Sequence, residues 1–170
     1  MNLYFTMPGP YPPHQILMAT LYDISTATIA ATMAGNELAV AAFVHPQIRK
    51  LGDNVHAQVA TPLATALGKA MPLWYGVSLV LILGAAFEHR PITSGPGIFI
   101  AAAALLWAIA IVASVTMLVP INNRIARMNP QQPHSTWLQD RCRWDKLHRV
   151  RVEFLIVAVL LLLAGLLQTR

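Results

Sequence analysis

Four long apolar runs leave this chain few ways to fold. Drawn at residues 24–44, 71–87, 97–119 and 152–167, each runs from Ile24, Met71, Gly97 and Val152 to Val44, Phe87, Val119 and Leu167. Each comes close to the roughly 20 residues a helix needs to cross a hydrocarbon core. None alternates apolar and polar residues as a barrel strand would. With 56% apolar and only 11% charged residues, the 170-residue chain is too greasy for an ordinary soluble domain. The expected fold is all-α: an integral membrane four-helix up-and-down bundle whose first partner is the lipid bilayer.

Residues 1–22 read as a Pro-rich N-terminal leader, and residues 23–170 as a single four-helix membrane domain. Pro8, Pro10, Pro12 and Pro13 keep the leader out of regular helix. No positive n-region marks a cleavable signal peptide there. Helix one is expected to start near Tyr22, Asp23 and Ser25 and to stop at His45-Pro46, because a residue preceding proline avoids helical geometry. Ala27, Ala31, Gly35 and Ala39 recur every four residues and form a small-residue stripe suited to close helix contact. Pro72 suits the first turn of helix two. Helix three should end at Pro120. Helix four can start at Ser135 or Thr136, well before its apolar run, with Trp137, Trp144 and Arg151 recurring every seven residues.

Basic residues fall unevenly between the connections. The loops after spans one and three hold Arg49, Lys50, Lys69, Arg124, Arg127, Arg141, Arg143, Lys146, Arg149 and Arg151, against Arg90 and Arg170 on the other side. By the positive-inside rule, both termini face away from the cytoplasm, which fits a cell inner (plasma) membrane. The net charge of +5 is mainly this topological signal, and no aromatic-interleaved basic surface points to nucleic acid. Cys142 is alone, which excludes an intramolecular disulfide and a cysteine metal cluster. A homo-oligomer is compatible with the sequence.

Glu37 lies inside the first apolar run, where an ionisable group is expensive and needs a partner, a proton or a function. In an up-and-down arrangement the unusual residues gather at the same, cytoplasmic end. Glu37 stands roughly 10 Å above the end of helix one. Trp74 and Tyr75 open helix two, Asn122 and Asn123 close helix three, and Trp144, Asp145, His148, Arg151 and Glu153 lead into helix four. Trp144, His148 and Arg151 share a helix face at i, i+4 and i+7.

Two readings of these residues stay open. Glu37 can act as a base, with His148 moving protons and Arg151 holding an oxyanion. Alternatively, Glu37 forms an ion pair with Arg151, or as a protonated carboxyl bonds Asn123, only to orient the bundle, and Arg151 and His148 snorkel to headgroups while Trp144 anchors the interface. Glu37, His45 and His148 could ligate a metal, but no spacing is diagnostic, and His45 sits about 80° around an ideal helix from Glu37. The cofactor is left unknown. His14, His56, His89 and His134, with Asp23 and Glu88-His89-Arg90, are expected at the surface.

Gly35-Asn36-Glu37-Leu38-Ala39 with Val44-His45-Pro46, Met71-Pro72-Leu73-Trp74-Tyr75, Pro120-Ile121-Asn122-Asn123-Arg124-Ile125, Trp137, and Arg143-Trp144-Asp145-Lys146-Leu147-His148-Arg149-Val150-Arg151 together resemble the anthrone oxygenase-like family of small four-helix integral membrane proteins. The resemblance spans the chain from about Gly35 to its C-terminus. It implies a membrane-embedded oxidoreductase, an oxygenase that oxidises a hydrophobic aromatic or polyketide-like compound, as an anthrone is oxidised to an anthraquinone. Carried over by position, its polar residues are Glu37, Asn123, His148 and Arg151 as catalytic groups. Trp74, Tyr75 and Trp144 can stack on a flat substrate. The other class left open is a non-enzymatic assembly subunit or small-molecule-binding protein.

Overall fold

The computed structural model describes residues 12–93 and 95–169. Among these it has four helices and no strand: α1 Pro13–Ile48, α2 Asp53–Glu88, α3 Gly95–Ala126 and α4 Trp137–Leu167. All four are long and apolar enough to span a membrane. Their outward faces carry large apolar side chains such as Leu73, Val80, Leu105, Val112 and Leu160, as lipid-facing helices do. The chain is an integral membrane protein of the expected all-α architecture.

The helices are longer than their apolar runs. The leader up to Tyr11 lies outside the described residues, but α1 already starts at Pro13 rather than near Tyr22. Proline at a first helical position loses no hydrogen bond, because that N–H has no intrahelical partner. α2 begins at Asp53, directly after the extended Gly52. Asp53 complements the positive end of the helix. Pro62 and Pro72 are therefore interior residues, and Pro72 does not open the helix. α4 starts at Trp137 after Thr136, within a residue of the expected start.

Pro46 and Pro120 do not end their helices either. Each is preceded by a single wide turn, Val40–Val44 in α1 and Ser114–Leu118 in α3, and the helix then continues. His45 N–H bonds Val40 O and Val119 N–H bonds Ser114 O, five residues back instead of four. A proline ring crowds the carbonyl four residues earlier and offers it no donor. A turn closed i→i+5 relieves that crowding without breaking the helix.

Up to Ala39, the buried face of α1 is Asp23, Thr26, Ala30, Met33, Ala34 and Glu37, and His45 and Ile48 are buried beyond the wide turn. Ala31, Gly35 and Ala39 of the small-residue stripe are exposed, so the stripe does not pack inside this bundle. Two apolar clusters fill the interior. One, around Met33, Ile82, Ile100, Trp107, Leu155 and Leu162, lies nearer the termini. The other, around Ala60, Ala64, Leu118, Ile121, Trp137 and Trp144, lies nearer the basic loops. Between them each helix contributes polar residues: Glu37, Tyr75, Ser114, His148 and Arg151.

α2 and α3 are tied at two levels. Trp107 Nε1 donates to Tyr75 O at 3.2 Å, and Asn122 Nδ2 donates to Ala64 O at 2.9 Å. A Cβ on Gly68 would come within 2.9 Å of that amide nitrogen, so the glycine admits the lower tie.

Candidate functional site

Glu37 is the centre of the polar layer. Its side chain is 4% exposed, and Arg151 Nη2 donates to its Oε2 at 2.5 Å. His148 Nδ1 lies 3.1 Å from the same oxygen and 2.8 Å from Arg151 Nη2. One carboxylate oxygen, one guanidinium nitrogen and one imidazole nitrogen thus form a closed triangle. The second arm of the guanidinium donates from Nη1 to Ser114 Oγ at 3.2 Å, while Ser114 donates to Ala110 O at 2.6 Å. The positions follow from helix geometry. His148 and Arg151, three apart on α4, present their heads to one spot on α1.

Trp144, four residues before His148, stacks on its ring with centroids 4.7 Å apart and planes 22° from parallel. The Tyr75 ring lies on the other flank, with the Arg151 guanidinium carbon 5.3 Å from its centroid. These groups border a cavity of about 190 Å³. One water needs only about 10–15 Å³ on that measure, so there is room for a larger ligand. The walls are mainly apolar, including Val40, Leu67, Met71, Ile111 and Leu118. Polarity concentrates in Asn36, Glu37, Ser114, Asn122, His148 and Arg151. An apolar chamber with convergent polar groups is what a site for an apolar ring compound requires.

Three buried polar atoms of residues that line the cavity have no protein partner: Tyr75 Oη, Arg151 Nε and His148 Nε2. Unpaired buried donors are costly and rare. A ligand carrying a carbonyl oxygen would accept from Tyr75 Oη and Arg151 Nε.

Of the residues singled out by sequence, Glu37, Tyr75, Trp144, His148 and Arg151 converge on this cavity. Trp74 is half-buried against the apolar core and does not line it. Asn123 is exposed, and Asn122 lies on the wall instead. The cause is that α3 continues through Pro120, which fixes the two asparagines on different faces. Ser114 was not legible as a site residue, because a serine in an apolar helix usually bonds its own backbone.

Behind His148 lies a second buried group. His45 Nδ1 is 3.3 Å from Asp145 Oδ1, and Arg141 Nη2 is 3.0 Å from the same oxygen. The His45 and His148 rings are 5.3 Å apart. The wide turn winds less per residue and brings His45 back toward the face carrying Glu37, which an ideal helix would not. Among the described residues no cluster of His, Cys, Asp and Glu is arranged to hold a metal ion. His56 is buried with its ring 4.8 Å from Trp137, and Asp23 is buried and paired with half-buried His89 at 3.0 Å, so none of the three is the solvated residue expected. His14, Glu88 and Arg90 are exposed as expected, and His134 pairs with Asp140 at 3.5 Å.

The anthrone oxygenase family model matches residues 18–161, most of the chain. No curated protein and no solved structure matches it significantly. The chain belongs to the anthrone oxygenase family.

Proposed function

We propose that this member of the anthrone oxygenase family is a membrane-embedded oxygenase acting on a flat, hydrophobic aromatic or polyketide-like ring compound drawn from the bilayer. The observation that carries the reading is the Glu37–His148–Arg151 triangle at the polar end of an otherwise apolar cavity. A ring CH₂ made acidic by a conjugated carbonyl gives up a proton to the Glu37–His148 pair, and the electron pair left behind delocalises onto the carbonyl oxygen. Arg151, with Tyr75 Oη, supplies the donors for that oxyanion. Molecular oxygen then accepts electrons from the anion and bonds the same carbon. Reprotonation gives a hydroperoxide, and loss of water leaves a second carbonyl, so the substrate and O₂ become the quinone and H₂O. Trp144 and Tyr75 flank the ring system.

The basic residues around this end of the bundle favour placing it at the cytoplasmic face, with both termini opposite, in a cell inner (plasma) membrane. A non-enzymatic assembly subunit or small-molecule-binding protein is the second reading, favoured by the burial of the Glu37–Arg151 pair, which alone could orient α1 on α4.

Oxygen uptake and quinone absorbance with an anthrone separate the two. In detergent-purified protein the wild type consumes one O₂ per quinone formed, while Glu37→Gln, with its helical circular dichroism retained, falls to the uncatalysed rate. A folded wild type that binds the anthrone without consuming oxygen leaves a binding protein.

A further inference from the structure

The exposed residues that line the cavity all lie on two helices, α2 and α3. Gly68, Pro72 and Gly76 recur every four residues on one face of α2, all exposed and all lining the cavity. Opposite them, Val115 and Val119 on α3 are also exposed and also line it. The gap is bounded at one end by the Asn122–Ala64 tie and at the other by the Trp107–Tyr75 tie, so α2 and α3 are pinned around it rather than merely separated. The wide turn Ser114–Leu118 supplies Ser114, Val115 and Leu118 to the cavity wall. A Cβ built on Gly76 would meet nothing within 4 Å, so the glycine is there for no packing contact. Inside the gap stands Tyr75, 6% exposed, with its hydroxyl unpartnered and on the cavity wall.

Resting on the reading of the cavity as a substrate site, we propose that the gap between α2 and α3 is a lateral portal. Through it a flat apolar ring compound passes from the hydrocarbon into the cavity, and Gly76 sets the width it admits. A three-ring compound is far more soluble in hydrocarbon than in water, so the bilayer is its reservoir. A glycine rim lets its edge slide past backbone, where a branched side chain would block it. The unpartnered hydroxyl is then the first polar group the incoming carbonyl meets.

A nitroxide attached to Gly76→Cys in a Cys142→Ala background, in phosphatidylcholine liposomes, reads the portal without turnover. Collisions with O₂ should exceed those with a water-soluble nickel chelate, and anthraquinone should immobilise the label. A label at Leu105→Cys, on the lipid face outside the cavity, should stay unaffected. No immobilisation at residue 76, or equal immobilisation at 105, overturns the portal. Steady-state kinetics give the second arm. Gly76→Leu should lower kcat/KM for an anthrone at least ten-fold while kcat holds, whereas an equal fall in both, or none, overturns it. A wild type that oxidises no anthrone defeats the oxygenase reading alone, and the label still decides the portal.

Discussion

Arg151 Nη2 meets Glu37 Oε2 at 2.5 Å across 114 positions of chain. This contact joins the first and last helices midway along the bundle, with both side chains at least nine-tenths buried. Its two members respond differently to removal of charge and removal of the whole head group. Gln at 37 still accepts a hydrogen bond from Arg151, so Glu37→Gln should lose only about 1–1.5 kcal/mol, the difference a charged partner makes to a hydrogen bond. Glu37→Ala leaves the guanidinium uncompensated and should lose about 3–5 kcal/mol. Unfolding in a mixed-detergent titration checks this ordering; equal losses would mean that a neutral acceptor gives Arg151 nothing and that it needs the charge of Glu37.

Tyr75 gives a prediction of the opposite sign. Its hydroxyl is buried without a partner, a state that costs about 1–3 kcal/mol. Tyr75→Phe should therefore leave the empty protein as stable as wild type or more stable by about 1 kcal/mol. The same variant should bind anthraquinone several-fold more weakly, because the ligand oxygen loses its donor. Thermal unfolding with and without anthraquinone measures both effects on one sample, and a destabilised empty protein would show that the hydroxyl has a partner after all.

Asn122 and Asn123 separate packing from mere proximity in sequence. Asn122 ties α3 to α2 at Ala64 and lines the cavity, whereas Asn123 is exposed. Asn122→Ala should cost about 1 kcal/mol, in the range of polar contacts between membrane helices, and slow anthrone oxidation. Asn123→Ala should change neither by a measurable amount. If the effects were exchanged, α3 would have to be rotated by one residue from the orientation seen.

The same pair shows where sequence reading holds and where it stops. Four apolar runs, the burial of Glu37 and the shared face of Trp144, His148 and Arg151 follow from length, cost and helical period, all of which are local properties. Helix ends were harder, because proline was read as a terminator. At Pro46 and Pro120 a wide turn absorbs the misfit, and at Pro62 and Pro72 the helix runs straight on. Each extra residue in a wide turn rotates everything after it. That rotation carries His45 toward His148 and puts Asn122, not Asn123, on the wall. The buried Asp145 group and the Asp23–His89 pair were missed for a related reason: pairing across helices leaves no spacing to read within one.

The wide turn before Pro120 yields the last prediction. Proline inside a regular helix costs about 3 kcal/mol, and the turn at Ser114–Leu118 absorbs the crowding at the expense of regular hydrogen bonds. Pro120→Ala restores a donor to the carbonyl of Thr116 and removes the ring that crowds it. The helix can then close i→i+4 through this stretch, and the melting temperature should rise. Tightening the turn, however, changes the rotation between Ser114, which accepts from Arg151, and Asn122, which holds α2. Arg151 should lose its Ser114 contact, and kcat/KM for an anthrone should fall about ten-fold. This is the trade expected where function uses a strained backbone. Differential scanning fluorimetry beside oxygen uptake tests it: a more stable protein with full activity would show that the wide turn serves only to accommodate the proline.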